Sequence, residues 1–162
     1  FAKLLKGQFP KAYLAGSSRS LSKEKQLKEA GFDQVILDKD GVLQTEEQFD
    51  KVLDLVGPSA ILDTFSRTTD GGMICSCGLL GGQWTIPDFD PIEMLYRNLY
   101  LTTFASGNVS QDKLQALVDF VERYHVKVWP EKVYRIEQIQ EAHAYLEGSY
   151  SFGKVIVKNE ED

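Results

Sequence analysis

Short apolar runs alternate with helical patterns along this chain, and glycine or a polar turn marks most changeovers. Ala12-Tyr-Leu-Ala15 is an apolar run ending in Gly16-Ser17-Ser18. Ser22 to Ala30 reads as a helix, with Ser22 as N-cap and Gly31 as its stop. Gln34 to Asp38 is the next strand, followed by a polar turn from Lys39 to Gly41. Lys51 to Val56 is a strand stopped by Gly57-Pro58, and Ala60 to Arg67 suits a helix with Ile61, Leu62 and Phe65 inward. Gly71-Gly72 turns into the strand Met73 to Cys77, which Gly78 closes, and Gly81-Gly82 marks a loop. Leu99 to Phe104 is β-rich. Gln111 to Tyr124 is the clearest amphipathic helix, with Leu114, Leu117, Val118, Phe120 and Val121 as its stripe. Glu137 to Glu147 is the last helix and Lys154 to Val157 the last strand.

Strands alternating with helices imply an α/β fold: a Rossmann-like, doubly wound parallel sheet with helices on both faces and right-handed crossovers. The chain reads as one domain over residues 1–158, with a frayed acidic end at Asn159 to Asp162. The net charge of −6 argues against a nucleic-acid-binding face. No apolar run approaches the length of a membrane span, and Lys3 and Lys6 interrupt the N-terminal apolar stretch of a would-be signal peptide.

The two cysteines, Cys75 and Cys77, share one strand face by alternation. A disulfide between them is sterically awkward, two thiols alone make a poor zinc site, and packing as small hydrophobes is the simplest role. No metal site is expected, and the lack of a disulfide framework fits a cytoplasmic protein.

In open α/β sheets, ligands bind beyond the carboxyl ends of the strands. That directs attention to Gly16–Arg19, Val56-Gly57, Gly78–Leu80 and Phe104–Ser106, where missing side chains let a ligand approach the backbone. NAD-preferring folds carry an acidic residue after the second strand for the ribose 2′-hydroxyl. Here Ser17, Ser18, Arg19 and Lys23 supply hydroxyl and cationic groups and no carboxylate, a set suited to a 2′-phosphate. The competing reading is a solvated helix start with an incidental arginine.

The tail Glu141-Ala-His-Ala-Tyr-Leu-Glu-Gly-Ser-Tyr-Ser-Phe-Gly-Lys-Val-Ile-Val157 resembles the end of a medium-chain dehydrogenase/reductase. Ala30-Gly-Phe-Asp33 before a strand, Val52-Leu-Asp-Leu-Val-Gly57, and Gly71-Gly-Met-Ile-Cys-Ser-Cys-Gly-Leu-Leu-Gly-Gly82 are similar to that superfamily's segments, in the same order. The resemblance implies a cofactor domain that begins after the first Rossmann strand and its Gly-rich loop. The absent strand would be central, between those at Ala12 and Val52, so the chain is expected to be a fragment of a longer protein. It implies that Ser17, Ser18 and Arg19 face the adenosine ribose phosphate and Gly57 lines the groove. Gly78, Leu79 and Leu80 would contact the nicotinamide ribose side, and Phe104, Ala105 and Ser106 would flank the nicotinamide. His143 and His125 are expected to pack or cap, and Asp54 and Asp38 to serve turns.

The implied activity is NADPH-dependent reduction of a quinone, enone or other carbonyl compound, with no catalytic residue assignable. A zinc-dependent alcohol dehydrogenase and a non-catalytic Rossmann interaction module are the alternatives. A homodimer through the apolar edge Leu99–Phe104 is expected.

Overall fold

The computed structural model describes residues 1–148 and 151–159; the expected acidic end from Glu160 lies outside the described residues. The elements are α1 (Ala2–Gln8), β1 (Ala15–Ser18), α2 (Glu24–Glu29), β2 (Gln34–Lys39), β3 (Val42–Leu43), β4 (Phe49–Asp54), α3 (Ile61–Ser66), β5 (Thr68–Ser76), α4 (Pro91–Met94), β6 (Tyr100–Thr103), α5 (Gln111–Arg123), β7 (Lys132–Arg135), α6 (Ile139–Glu147) and β8 (Val155–Lys158). They fall into two compact units, one of Ala15–Leu21 with Gln34–Leu114, the other of Phe1–Leu14, Ser22–Asp33 and the chain from Gln115.

The first unit carries two sheets. β1 runs parallel to β2, which turns back on β3. The reversal uses Asp40 and Gly41 with φ of 55° and 84°, the left-handed pair that a tight hairpin needs. Asp38 accepts a hydrogen bond from the Gly41 amide at 2.8 Å, so the expected polar turn is a true hairpin. The second sheet is all parallel, in the order β4-β5-β6. Among the described strands β1 pairs only with β2 and β4 only with β5, so each leaves one ladder edge unpaired.

The core of this unit sits on the β4–β5–β6 sheet. Ile61 and Phe65 of α3 meet Ile74 of β5 and Leu99, with Val52, Met94, Leu95 and Leu101 packed around them. Ile74 is wholly buried because its strand has neighbours on both sides. Such burial stabilises by about 1.5–3 kcal/mol per side chain. Leu62 does not join: it lies on the outward face of α3 and is exposed, since Ile61 and Phe65 occupy the inward face. Gly71 and Gly72 do not start β5 but bulge within it. Phe49 pairs with Thr68 and Lys51 with Met73, so the residues between loop out, with Gly71 at φ 72°.

The second unit is held differently. Lys6 of α1 donates from Nζ to Asp33 Oδ2 and to the Ala12 carbonyl, both at 2.6 Å. Asp33 also accepts from the Leu14 amide at 2.7 Å. The Lys6 and Leu14 donors hold the Asp33 carboxyl below its usual range. Ser22 is not the N-cap expected of α2; it lies in a 3₁₀ turn over Leu21–Lys23, and Lys23 takes the cap position without a side-chain bond. Gly31, at φ 111°, ends that helix as expected.

The sequence pattern does not predict β7, yet it pairs in parallel with β8. Glu131, just before β7, explains the join. Its carboxylate accepts from the Phe152 amide at 2.7 Å, the Gly153 amide at 2.6 Å and Tyr145 Oη at 2.6 Å. These three donors pull the Glu131 carboxyl below its ordinary value, the tyrosine most of all, and the same bond raises Tyr145. Lys132 Nζ stands 3.8 Å from the Tyr145 ring centroid. The Phe-Gly-Lys turn before the last strand is therefore clamped by one carboxylate. α5 forms as its spacing requires, but none of its residues is buried, and Leu114, Leu117 and Val118 are exposed.

Candidate functional site

The carboxyl ends of β4, β5 and β6 converge on one cluster. Asp54, the last residue of β4, is buried and accepts through Oδ1 from the Val56 amide at 2.9 Å and the Gly57 amide at 3.0 Å. Its Oδ2 accepts from Ser76 Oγ at 2.9 Å, which ties the end of β4 to the end of β5. The turn role expected of Asp54 is present; the Ser76 link was not foreseen. An aspartate followed by a glycine three residues on is the local signal for the first half of this arrangement. The second half depends on sheet register, which pairs Asp54 with Ser76.

The ladder continues past the strand ends. The Cys77 amide donates to the Asp54 carbonyl at 2.8 Å, Leu80 to Leu55 at 3.1 Å and Gly81 to Val56 at 2.9 Å. This close approach explains the glycines. A Cβ on Gly57, whose φ is 84°, would stand 2.7 Å from the Gly78 carbonyl oxygen. One on Gly78 would stand 2.5 Å from the Leu55 oxygen. The space a side chain would fill at both positions is occupied by the chain's own backbone. Packing alone thus requires these two glycines.

Cys75 and Cys77 project together, with Sγ atoms 3.4 Å apart. Burial raises the Cys77 thiol pKa first; the bond with Cys75 and negative charge on Cys75 and Asp54 add to it, while the Phe104 amide opposes. Gly57, Gly78 and Leu79 are packed together, since the Leu79 side chain also lies 3.1 Å from the Cβ position of Gly57, while the Phe104 amide reaches Cys77. Leu80, Phe104, Ala105 and Ser106 are exposed beyond the strand ends.

Ser17, Ser18 and Arg19 stand at the carboxyl end of β1, on the other sheet of the same unit. Ser18 Oγ donates to the Ser20 carbonyl at 2.8 Å and accepts from its amide, so this hydroxyl is engaged in its own loop. Ser17 and Arg19 are exposed. Lys23 belongs to the second unit, where its Nζ donates to the Ser151 carbonyl at 2.7 Å. His143 is exposed on α6, and His125 holds a left-handed conformation, φ 49°, just past α5.

A parallel sheet whose strand ends carry a turn-forming aspartate, close-packed glycines and open loops belongs to the Rossmann-like class. Comparison with known proteins narrows it. The chain belongs to the zinc-binding dehydrogenase family, which it matches over residues 30–157. It is the cofactor-domain part of the medium-chain dehydrogenase/reductase fold, an oxidoreductase superfamily. An NAD-dependent alcohol dehydrogenase is similar at 25% identity and TM-score 0.71, over 97% of this chain and 48% of that one. The quinone oxidoreductase from Coxiella burnetii is similar at 20% identity and TM-score 0.67, over 91% and 45%. The yhdH oxidoreductase from Salmonella enterica, in complex with NADP, is similar at 16% identity and TM-score 0.71, over 98% and 50%. The chain thus spans about half the length of these solved structures. No curated protein matches it significantly.

The family's name implies zinc, and a zinc site needs three or four protein ligands. Among the described residues no three His, Cys, Asp or Glu side chains gather to hold a metal ion. Cys75 and Cys77 alone do not suffice, so zinc does not fit the described part of this chain. Nor is any helix of the described residues long and apolar enough to cross a membrane.

Proposed function

We propose that this chain is the cofactor domain of an NADPH-dependent oxidoreductase that reduces a quinone, an enone or another carbonyl compound. One observation carries the preference for NADPH. Arg19 lies exposed at the carboxyl end of β1 beside the exposed Ser17, with no carboxylate between Ala15 and Lys23. A guanidinium there offers bidentate hydrogen bonds to a 2′-phosphate, while an NAD site would present an acceptor for a hydroxyl. The likeness to an NADP-bound oxidoreductase supports the reading. The loops after β4, β5 and β6 would hold the rest of the dinucleotide: Gly57 beneath the groove, Gly78 to Leu80 along the nicotinamide ribose, and Phe104 to Ser106 beside the nicotinamide. When bound, the cofactor supplies the hydride; this chain's residues orient it and exclude water.

The test is titration of the natural protein with NADPH and NADH. Arg19→Ala should weaken NADPH about 10- to 100-fold, as loss of a charge-assisted hydrogen bond does, and leave NADH nearly unchanged. An unchanged ratio sinks the assignment. The zinc-dependent alcohol dehydrogenase alternative keeps support from the family's description and from the similar NAD-dependent alcohol dehydrogenase. Metal analysis of the natural protein separates the two. Failure to bind either nucleotide would instead favour a non-catalytic interaction module.

We also propose a homodimer contact along β6. Among the described strands it is the outer one of its sheet, with Tyr100 and Phe104 exposed, and an open edge of this kind pairs readily with a second copy. Light scattering on the natural protein checks it. The reading further puts the protein in the cytoplasm, where two unpaired thiols remain reduced.

A further inference from the structure

We propose that Cys75 and Cys77 form a reversible dithiol–disulfide couple at the carboxyl end of β5. The inference rests on thiol geometry and stands apart from the cofactor assignment. Strand alternation puts the two side chains on one face, and the structure shows that they converge, with the sulfurs 3.4 Å apart in a thiol hydrogen bond and no disulfide between them. Bridging is expected to be awkward at this spacing, but the observed sulfur contact shows that the two side chains can meet. β5 ends at Ser76 and Cys77 follows it, its amide still bonded to the Asp54 carbonyl, yet the two side chains already touch. Closure therefore needs rotation of two side chains in contact, not the approach of separate segments. Both thiols are partly buried, which admits a small oxidant and disfavours pairing with another protein chain.

The chemistry needs an oxidant of the small-disulfide class, such as oxidised glutathione. One cysteine, as thiolate, attacks the oxidant's sulfur, forms a mixed disulfide and expels one reduced thiol. The neighbouring cysteine then attacks the protein-side sulfur and expels the second. Two protein thiols lose two protons and two electrons as one sulfur–sulfur bond forms, and the oxidant's bond is reduced to two thiols. In a reducing compartment such a pair rests as the dithiol and closes under oxidative load.

The experiment equilibrates the natural, folded protein in glutathione buffers of rising oxidised fraction, blocks free thiols, and maps peptides by mass spectrometry. The expected result is a peptide carrying a Cys75–Cys77 bond, lighter by two hydrogens and restored by dithiothreitol. Cys75→Ser and Cys77→Ser should each stop at a glutathione adduct on the remaining cysteine. Free thiols throughout, or stable glutathione on both cysteines, would overturn the proposal. Should a serine variant fail to fold, dibromobimane on the wild-type protein reads the same proximity. A single bridge across both sulfurs supports the couple, and two separately capped thiols refute it.

Discussion

The β4–β5–β6 sheet and the β7–β8 pair are both parallel, yet they cohere by different physics. In the first, β5 has a strand on each side and α3 packs on it, so Ile74 loses all contact with water and Ile61, Phe65 and Leu99 close over it. In the second, a two-stranded ladder has no central strand, and β7 and β8 contain no fully buried residue. What fixes it is Glu131, collecting three donors from the turn before β8 and from α6. A third strand converts side-chain pattern into burial; with only two, charge-assisted hydrogen bonds take over.

The largest expected effect is at the apolar centre. Ile74→Ala should destabilise the first unit by about 2–5 kcal/mol, since the packed neighbours cannot fully collapse into the cavity. Chemical denaturation measures it, and a loss under 1 kcal/mol would mean that this sheet is no better packed than the β7–β8 pair. Next comes the strand-end carboxylate. Asp54→Ala leaves the Val56 and Gly57 amides and the Ser76 hydroxyl without their acceptor. The expected cost is about 2–3 kcal/mol, with faster amide exchange at Val56 and Gly57 as the local readout.

The smallest global effect is at Glu131, which is solvent-exposed, and there pH sharpens the contrast. Its carboxyl is depressed below the ordinary value of 4.5, so its contribution is fully present above that value and is lost as pH falls through the depressed one. Tyr145 is raised above 10.0, so its side of the bond persists at neutral pH and is lost only as pH rises past that raised value. Amide exchange at Phe152 and Gly153 should therefore quicken in acid beyond its intrinsic pH trend, while Ile74 stays protected. Glu131→Gln should flatten the acid response. Equal loss of protection at all three amides would show that the two regions melt as one.

Much of the architecture was legible in the residues. β2, β4 and α3 lie within a few positions of their expected places because apolar runs bounded by Gly57-Pro58 and Gly31 leave little choice of boundary. The β1 run is shifted toward Gly16-Ser17-Ser18, where parallel pairing with β2 supplies the hydrogen bonds. β7 escaped notice because Lys132-Val-Tyr-Arg135 is too short and too charged to signal a strand without β8 beside it. At the strand ends, the glycines at 57 and 78 were visible, but their cause was not. A close backbone approach between two strands has no signature in either strand alone.

By itself, then, the sequence determined most element types, the alternation of strands and helices, the absence of a carboxylate after β1 and the shared face of Cys75 and Cys77. These follow from local stereochemistry and from residue types that need no partner to be read. Only the tertiary structure decided that Ile74 is buried while Leu117 is exposed, that Asp54 reaches Ser76, and that Glu131 clamps Phe152 and Gly153. Burial and hydrogen bonding at those positions depend on what lies across space, and residues 21 or 22 apart in the chain meet only once strand pairing brings them together.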